Sequence, residues 1–154
     1  MAKIEGEILI GRPVEEVSDF VADQNNEPQY SPQMVRAEKI TPGPVGTGTT
    51  FRSAVASMGR TAEMLIECTS YDRPRRLASI TTMQQADISY TLTFEPAGTS
   101  TRMRWSGQVH PKRAFRLLGP LITWMGGRQE RRIWTSLKRY LENTSARPVT
   151  RPTP

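Results

Sequence analysis

FRLLGPLITWMGGRQERRIWTSLKRYLE, residues Phe115–Glu142, is the stretch that decides the fold. Apolar residues recur in it at i, i+3, i+4 and i+7, the pattern of a helix with one buried face. The members of this stripe are Leu118, Leu121, Ile122, Met125, Ile133, Leu137, Tyr140 and Leu141. A continuous helix would be about 42 Å long at about 1.5 Å rise per residue. Such a helix requires a large apolar surface to lie against.

The sequence before this helix alternates apolar and polar residues, which is the pattern of half-buried strands. Strands are predicted over residues 4–10, 34–40, 49–55, 61–70, 76–82, 86–95 and 101–109. A short helix is predicted from about Pro13 to Asp23, and one helical turn can follow at Glu27–Tyr30. Short connections make consecutive strands pair antiparallel, and one face of such a sheet needs a cover. We therefore predict an α+β fold: an antiparallel sheet of about seven strands wrapped around the long C-terminal helix.

The composition indicates one soluble domain. The chain has 154 residues, 36% hydrophobic and 23% charged, and no apolar run of membrane-spanning length. We expect a domain over residues 1–144 and a disordered Pro-rich tail over residues 145–154. The N-terminus lacks the pattern of a signal peptide, and a lone cysteine, Cys68, allows no intrachain disulfide. Both features favour a cytoplasmic location.

Positive charge is concentrated in the last third of the chain. Residues 101–154 contain 12 basic and 2 acidic residues, a balance of +10, whereas residues 1–100 contain 9 and 13, a balance of −4. Such asymmetry can indicate an anionic partner, including peripheral contact with an anionic membrane. The alternative is a long helix whose solvated face is basic. Nucleic acid is not an expected partner, because no nucleic-acid-binding motif accompanies the charge.

Several short motifs occur in a characteristic order along the chain. They are Pro13-Val14-Glu15-Glu16-Val17 after the first strand, Tyr30-Ser31-Pro32, Gly46-Thr47-Gly48-Thr49-Thr50-Phe51, Tyr71-Asp72-Arg73-Pro74-Arg75-Arg76-Leu77, Thr101-Arg102-Met103-Arg104-Trp105, and Leu118-Gly119-Pro120-Leu121 leading to Leu137–Glu142. With this order of elements, the chain resembles the START-related helix-grip (SRPBCC) superfamily, and within it the polyketide cyclase/dehydrase-like family. Tyr30 departs from the pattern, since many members carry Trp there.

The resemblance implies a helix-grip fold with a cavity between the sheet and the C-terminal helix. It also implies a hydrophobic ligand such as a lipid, a polyketide or an aromatic compound. Strand parity and the helical stripe predict which side chains face this cavity. They are Phe20, Phe51, Met64, Ile66, Tyr90, Leu92, Met103, Trp105, Leu118, Ile122 and Met125. The resemblance adds Tyr30 at the mouth of the cavity. The alternative for each of these residues is packing in a solid core.

Polar groups at the cavity would orient a ligand. Tyr30, Tyr90 and Trp105 have polar tips, and the alternative partner for each tyrosine is a nearby backbone group. Gly126-Gly127 inside the helix suggests a kink or a close approach to the backbone, after which Arg128 could contact an anionic ligand. A solvated Arg128 is the alternative.

No catalytic constellation is identified, so the catalytic residues are left unknown. His110, the lone histidine, follows a strand and is expected outside the cavity. We expect no cofactor and no metal, because the histidine and cysteine residues lack the spacing of a metal site. Gly-rich phosphate loops and Gly-x-Ser-x-Gly motifs are absent from the sequence.

Three functions remain open from the sequence. The first is binding of a hydrophobic small molecule. The second is enzymatic, a polyketide-type cyclase or dehydratase in which Tyr30, Tyr90 or Arg128 would stabilise an enolate. The third is an interaction module that uses the basic C-terminal face. The protein is expected to be a monomer or a homodimer.

Overall fold

The computed structural model describes residues 2–57 and 59–144, with side chains excluded at positions 2, 57, 114, 115, 119, 121–126 and 144. The predicted tail, residues 145–154, lies outside the described residues. The strands are β1 (Ala2–Ile10), β2 (Met34–Lys39), β3 (Thr50–Ser57), β4 (Arg60–Asp72), β5 (Arg76–Met83), β6 (Ala86–Ala97) and β7 (Ser100–Pro111). The helices are α1 (Val14–Ala22), a first 3₁₀ helix (Gln24–Gln29), a second 3₁₀ helix (Arg113–Leu118) and α2 (Gly119–Thr144).

The seven strands form one antiparallel sheet in the order β1-β7-β6-β5-β4-β3-β2. This confirms the predicted fold class. Alternation places every second residue on the concave face, which carries the apolar side chains. For example, Trp105 on β7 lies opposite Gly6 on β1 and opposite Leu92 on β6, so these three residues share that face.

The C-terminal half of α2 covers the β1 side of the concave face. Trp134, Leu137 and Leu141 of this helix are buried, and Leu137 is fully inaccessible. Burial of a large apolar side chain stabilises a fold by about 1.5–3 kcal/mol. The end of α2 is also tied to β1, because Lys138 Nζ donates to the Leu9 carbonyl at 2.8 Å and Glu142 accepts from Gly11 N at 2.9 Å.

The long helix begins later than its apolar stripe predicts. Phe115–Leu118 belongs to the second 3₁₀ helix, and α2 begins at Gly119. The prediction of a helix from Phe115 was therefore wrong at its first turn. Pro120 gives the physical reason: its ring would clash with the carbonyl four residues earlier, so it is tolerated only in a first helical turn.

The helix α2 is continuous across its two glycines. The helix runs without interruption through Gly126 and Gly127 to Thr144. A Cβ atom added at Gly127 would meet no atom within 4 Å. Gly127 therefore does not lie against the sheet, and its approach to a ligand stays a prediction.

Candidate ligand-binding site

Two aromatic rings lie flat over glycines on the concave face. A Cβ atom at Gly6 would lie 2.4 Å from Trp105 Cζ2, and one at Gly107 would lie 2.8 Å from Tyr90 Cδ2. Each glycine is the cross-strand partner of the ring that covers it. The absence of a side chain at Gly6 and Gly107 therefore lets both rings approach the backbone of the sheet.

Trp134 of α2 packs against these two rings from above. Its ring centroid lies 6.2 Å from that of Trp105 and 6.5 Å from that of Tyr90. Tyr30, which follows the first 3₁₀ helix, completes the group with its centroid 6.4 Å from that of Trp134. Offset or tilted rings at such separations attract one another by about 0.5–1.5 kcal/mol per pair. The indole therefore joins the helix, the sheet and the loop after α1.

A polar network lies within these aromatic surroundings. The Tyr90 hydroxyl donates to Glu130 Oε2 at 2.5 Å and accepts from Trp134 Nε1 at 3.1 Å. Glu27 belongs to the same region, since its carboxyl interacts electrostatically with that of Glu130 and with the Tyr30 hydroxyl. We call Glu27, Tyr30, Tyr90, Glu130 and Trp134 the acidic–aromatic cluster.

The apolar surroundings disfavour negative charge in this cluster. Burial raises the pKa of Glu27 to about 8, and the charge of Glu130 acts in the same direction. Burial also raises the pKa of Glu130, although the hydrogen bond donated by Tyr90 opposes that shift. The pKa of Tyr90 is raised by burial and then by Glu130. The surroundings therefore favour the protonated form of Glu27, which can donate a hydrogen bond.

The stability of the protein should fall as the pH rises through the range in which Glu27 ionises. The unfolded carboxyl has its ordinary pKa of 4.5, so the folded state binds the proton more tightly. This contribution is fully present below pH 4.5 and is lost as the pH rises towards 8. We expect Glu27→Gln to remove most of this pH-dependent loss of stability, about 4 kcal/mol at roughly 1.4 kcal/mol per pKa unit, measured by urea unfolding across this range. Glu67→Gln, on the exposed face of β4, is the matched control and should leave the dependence unchanged.

The concave face carries several small polar side chains on β3 and β5, next to the larger Phe51 and Ile66. Ser53, Ser79 and Thr81 point to the same side as Tyr90 and Ile88, because Ser79 pairs with Tyr90 and Thr81 with Ile88. Ser53 is buried, and its hydroxyl has no hydrogen-bond partner in the described part of the chain. Neighbouring strands are about 4.8 Å apart, so β3 lies about 14 Å across the sheet from Tyr90. We call Ser53, Met64, Ser79, Thr81 and Met83 the small-residue floor.

The structure brings most of the predicted site residues to the concave side. Phe51, Ile66, Leu92, Met103 and Trp105 are buried on the sheet, and Tyr30 is buried beside α2. Phe20, Met64 and Tyr90 are half-buried. The side chains of Ile122 and Met125 are outside the described ones.

Two predicted residues do not join this group. Leu118 lies in the second 3₁₀ helix and is 48% exposed, and Arg128 is exposed on α2. Leu118 was assigned to the cavity because it fits the helical stripe, but the 3₁₀ segment before Pro120 breaks that periodicity. His110 is exposed at the end of β7, as expected.

Sequence reasoning missed Glu27, Glu130 and Trp134. A signal for two of them was available, since Glu130 and Trp134 precede Leu137 by seven and three residues and so fall on the same helical face. Glu130 is also one of the 2 acidic residues in 101–154. An acidic residue on an apolar stripe indicates a buried polar role. The Tyr90 hydroxyl, for which a backbone partner was the alternative, bonds to side chains instead.

The described residues contain no group of three or more His, Cys, Asp or Glu side chains arranged to hold a metal ion. None of the described helices is long and apolar enough to cross a membrane. The carboxyl and phenol groups of the acidic–aromatic cluster can form hydrogen bonds and transfer protons.

Solved structures share this fold. A START superfamily protein from Mycobacterium smegmatis superposes with a TM-score of 0.80 at 13% identity, over 94% of this chain and 99% of that one. TTHA0849 from Thermus thermophilus superposes with a TM-score of 0.79 at 18% identity, over 93% of this chain and 99% of that one. The di-domain ARO/CYC BexL from the BE-7585A biosynthetic pathway superposes with a TM-score of 0.74 at 20% identity, over 92% of this chain and 47% of BexL. At these identities the likeness concerns the fold.

Sequence comparison identifies the family. No curated protein matches the chain significantly. The family model described as "Polyketide cyclase / dehydrase and lipid transport" matches residues 1–142, nearly the whole chain. The order of elements and the sheet topology agree with the helix-grip neighbours. The protein therefore belongs to the polyketide cyclase/dehydrase and lipid transport family.

Proposed function

We propose that the protein binds a hydrophobic small molecule between the concave face of the sheet and α2. The observation that carries the proposal is the Tyr90–Glu130 hydrogen bond, a polar pair set among the rings of Tyr30, Trp105 and Trp134. Small-molecule sites typically combine an apolar lining with a few oriented polar groups. The family description, which names polyketides and lipids, supports the same class of ligand.

The chemistry of the cluster narrows the ligand class. A protonated Glu27 can donate a hydrogen bond to a carbonyl or hydroxyl oxygen of a ligand. The Tyr90 hydroxyl donates its own proton to Glu130 and accepts from Trp134, so its remaining lone pair can accept a hydrogen bond from a ligand hydroxyl. The aromatic rings offer flat apolar surfaces to the ligand, and we place the rest of the ligand over the small-residue floor. A flat, polycyclic or chain-like molecule with oxygen at one end fits both requirements.

A fluorescence titration tests the polar contact. A dihydroxyanthraquinone should bind the wild-type protein more tightly than anthracene, which has no oxygen. Tyr90→Phe should lower the affinity for the dihydroxyanthraquinone about fivefold and leave that for anthracene unchanged, because one hydrogen bond contributes about 1 kcal/mol. Tyr71→Phe is the matched control, since its hydroxyl bonds to Ser18 of α1 instead. Equal affinities of wild type and Tyr90→Phe for both compounds would reject this polar contact.

A second function, cyclisation or dehydration of a polyketide-like substrate, is favoured by the pairing of Glu27 with Glu130. A protonated Glu27 could act as general acid towards a departing hydroxyl, and an ionised Glu130 could accept the proton from the adjacent carbon. In that step a C–H bond and a C–O bond break, a C=C bond forms, and one water molecule leaves without any redox change.

Substitution of Glu130 separates the two functions. If the protein is a catalyst, wild type should convert an aromatic β-hydroxyketone with loss of water, and Glu130→Gln should abolish this conversion while retaining binding. If the protein only binds its ligand, the β-hydroxyketone should be recovered intact from wild type and variant alike. Mass spectrometry of the recovered compound distinguishes these results.

A further inference from the structure

We propose that the second 3₁₀ helix docks the protein on an anionic lipid bilayer. Leu117 is 96% exposed and Leu118 is 48% exposed, side by side in this short helix between β7 and α2. An apolar side chain stabilises a protein when it is buried. Two adjacent leucines in water make no such contribution. Insertion of Leu117 and Leu118 into the boundary between headgroups and acyl chains would remove their surface from water.

Three exposed basic residues lie just before the two leucines in the sequence. The helix contains Arg113 and Arg116, and Lys112 immediately precedes it. All three side chains are exposed. From residue 96 to residue 129 the sequence contains no acidic residue. The acidic side chain in the adjoining surface depression is Asp87, which forms an ion pair with Lys112 at 3.5 Å. A cluster of basic residues next to exposed apolar ones is attracted to anionic headgroups.

This charge distribution favours a bilayer over other partners. A second copy of the chain would place the same basic surface against itself, and like charges in contact are unfavourable. Nucleic acid would satisfy Arg113 and Arg116 but would leave the two leucines without an apolar partner. An anionic bilayer satisfies the cations and the leucines together.

The position of the helix adds a functional reason. The segment follows β7 at Pro111, opposite Ala86, and Lys112 N donates to the Gln85 carbonyl. The segment therefore lies at the end of the sheet where the β5–β6 turn connects its two strands. Met83 and Met64 of the small-residue floor lie at the same end. Docking through this helix would place that end of the proposed ligand site towards the membrane. The docking itself does not depend on the ligand.

Vesicle co-sedimentation of the full chain tests the proposal. Phosphatidylcholine vesicles containing phosphatidylglycerol should bind the protein, and vesicles of phosphatidylcholine alone should bind it much less. Arg113→Gln should reduce partitioning about fivefold, and adding Arg116→Gln should reduce it about fivefold again. Replacing Leu117 and Leu118 by serine should reduce it about tenfold or more. Ile80→Ser and Arg60→Gln, exposed on the sheet, are the controls and should bind like wild type.

The possible outcomes separate clearly. Binding that requires phosphatidylglycerol, weakens with added salt and is lost in the 3₁₀-helix variants supports the docking surface. Equal binding to both kinds of vesicle, or equal losses in the control variants, overturns it. Absence of vesicle binding, including a result in which the protein binds only a DNA duplex, also overturns it. Because the vesicles carry no added ligand, these results leave the proposed ligand site to its own test.

Discussion

Replacing Trp134 with alanine is expected to lower the free energy of unfolding by about 3–5 kcal/mol, the range for removal of a buried tryptophan. The indole is buried and packs against the rings of Tyr30, Tyr90 and Trp105, so its removal leaves a cavity bordered by three aromatic side chains. The hydrogen bond from Nε1 to the Tyr90 hydroxyl is lost as well. Urea unfolding followed by circular dichroism measures the change.

Two variants of α2 make this result specific. Trp134→Phe keeps an aromatic ring but removes the N–H donor, so it should cost clearly less than the alanine substitution. Arg139→Ala, exposed on the same helix, should stay within about 0.5 kcal/mol of wild type. If Trp134→Ala were no more destabilising than Arg139→Ala, the indole would not join helix and sheet as described.

Gly6→Val is expected to destabilise the protein by about 3 kcal/mol, the upper part of the range for overpacking a core. Valine normally stabilises a strand relative to glycine, so a loss of stability here would indicate a steric clash. The added Cβ would lie 2.4 Å from Trp105 Cζ2 and 2.7 Å from Trp105 Cε2, much closer than such atoms approach. The indole would have to leave its place over β1 and disturb Trp134 above it.

Two comparisons establish the cause of that loss by the same unfolding assay. Gly127→Ala, where the new Cβ meets no atom within 4 Å, should stabilise α2 by about 0.5–1 kcal/mol. In a Trp105→Leu background the cost of Gly6→Val should shrink, because the two residues contact each other and their effects are coupled. Additive effects in the double variant would contradict the packing of Trp105 over Gly6.

The sheet could be predicted from sequence because its signal is local. Ile88, Tyr90, Leu92 and Phe94 alternate with polar residues, so the parity of β6 follows directly from the sequence. The inward position of Tyr90 could therefore be derived, but its partner could not. The hydroxyl bonds to Glu130, forty residues away, and such a pairing depends on how α2 lies over the sheet.

The polar half of the site was missed for a physical reason. Glutamate is almost always exposed, so Glu27 in the first 3₁₀ helix was assigned no role. Its raised pKa results from the packing of distant elements around it, which no local pattern records. The start of α2 was predicted too early for another reason. The apolar periodicity extends back to Leu118, and Pro120 is the residue that marks the boundary.

The acidic–aromatic cluster and the small-residue floor together define the proposed ligand site. The cluster supplies hydrogen-bonding groups in apolar surroundings, and the floor is the surface over which we place the rest of the ligand. Met64 and Leu65 provide a matched pair for locating a ligand, because they are neighbours on opposite faces of β4. Met64 belongs to the floor, whereas Leu65 is 42% exposed on the other face.

Native mass spectrometry of the protein with a dihydroxyanthraquinone tests the ligand site most directly. We predict that the wild-type protein and Leu65→Trp each take up one equivalent, whereas Met64→Trp, whose indole would fill the floor, takes up none. A molecule that co-purifies with the wild type should be missing from Met64→Trp in the same way. No uptake by the wild type, or equal uptake by all three proteins, would contradict a binding site between the sheet and α2.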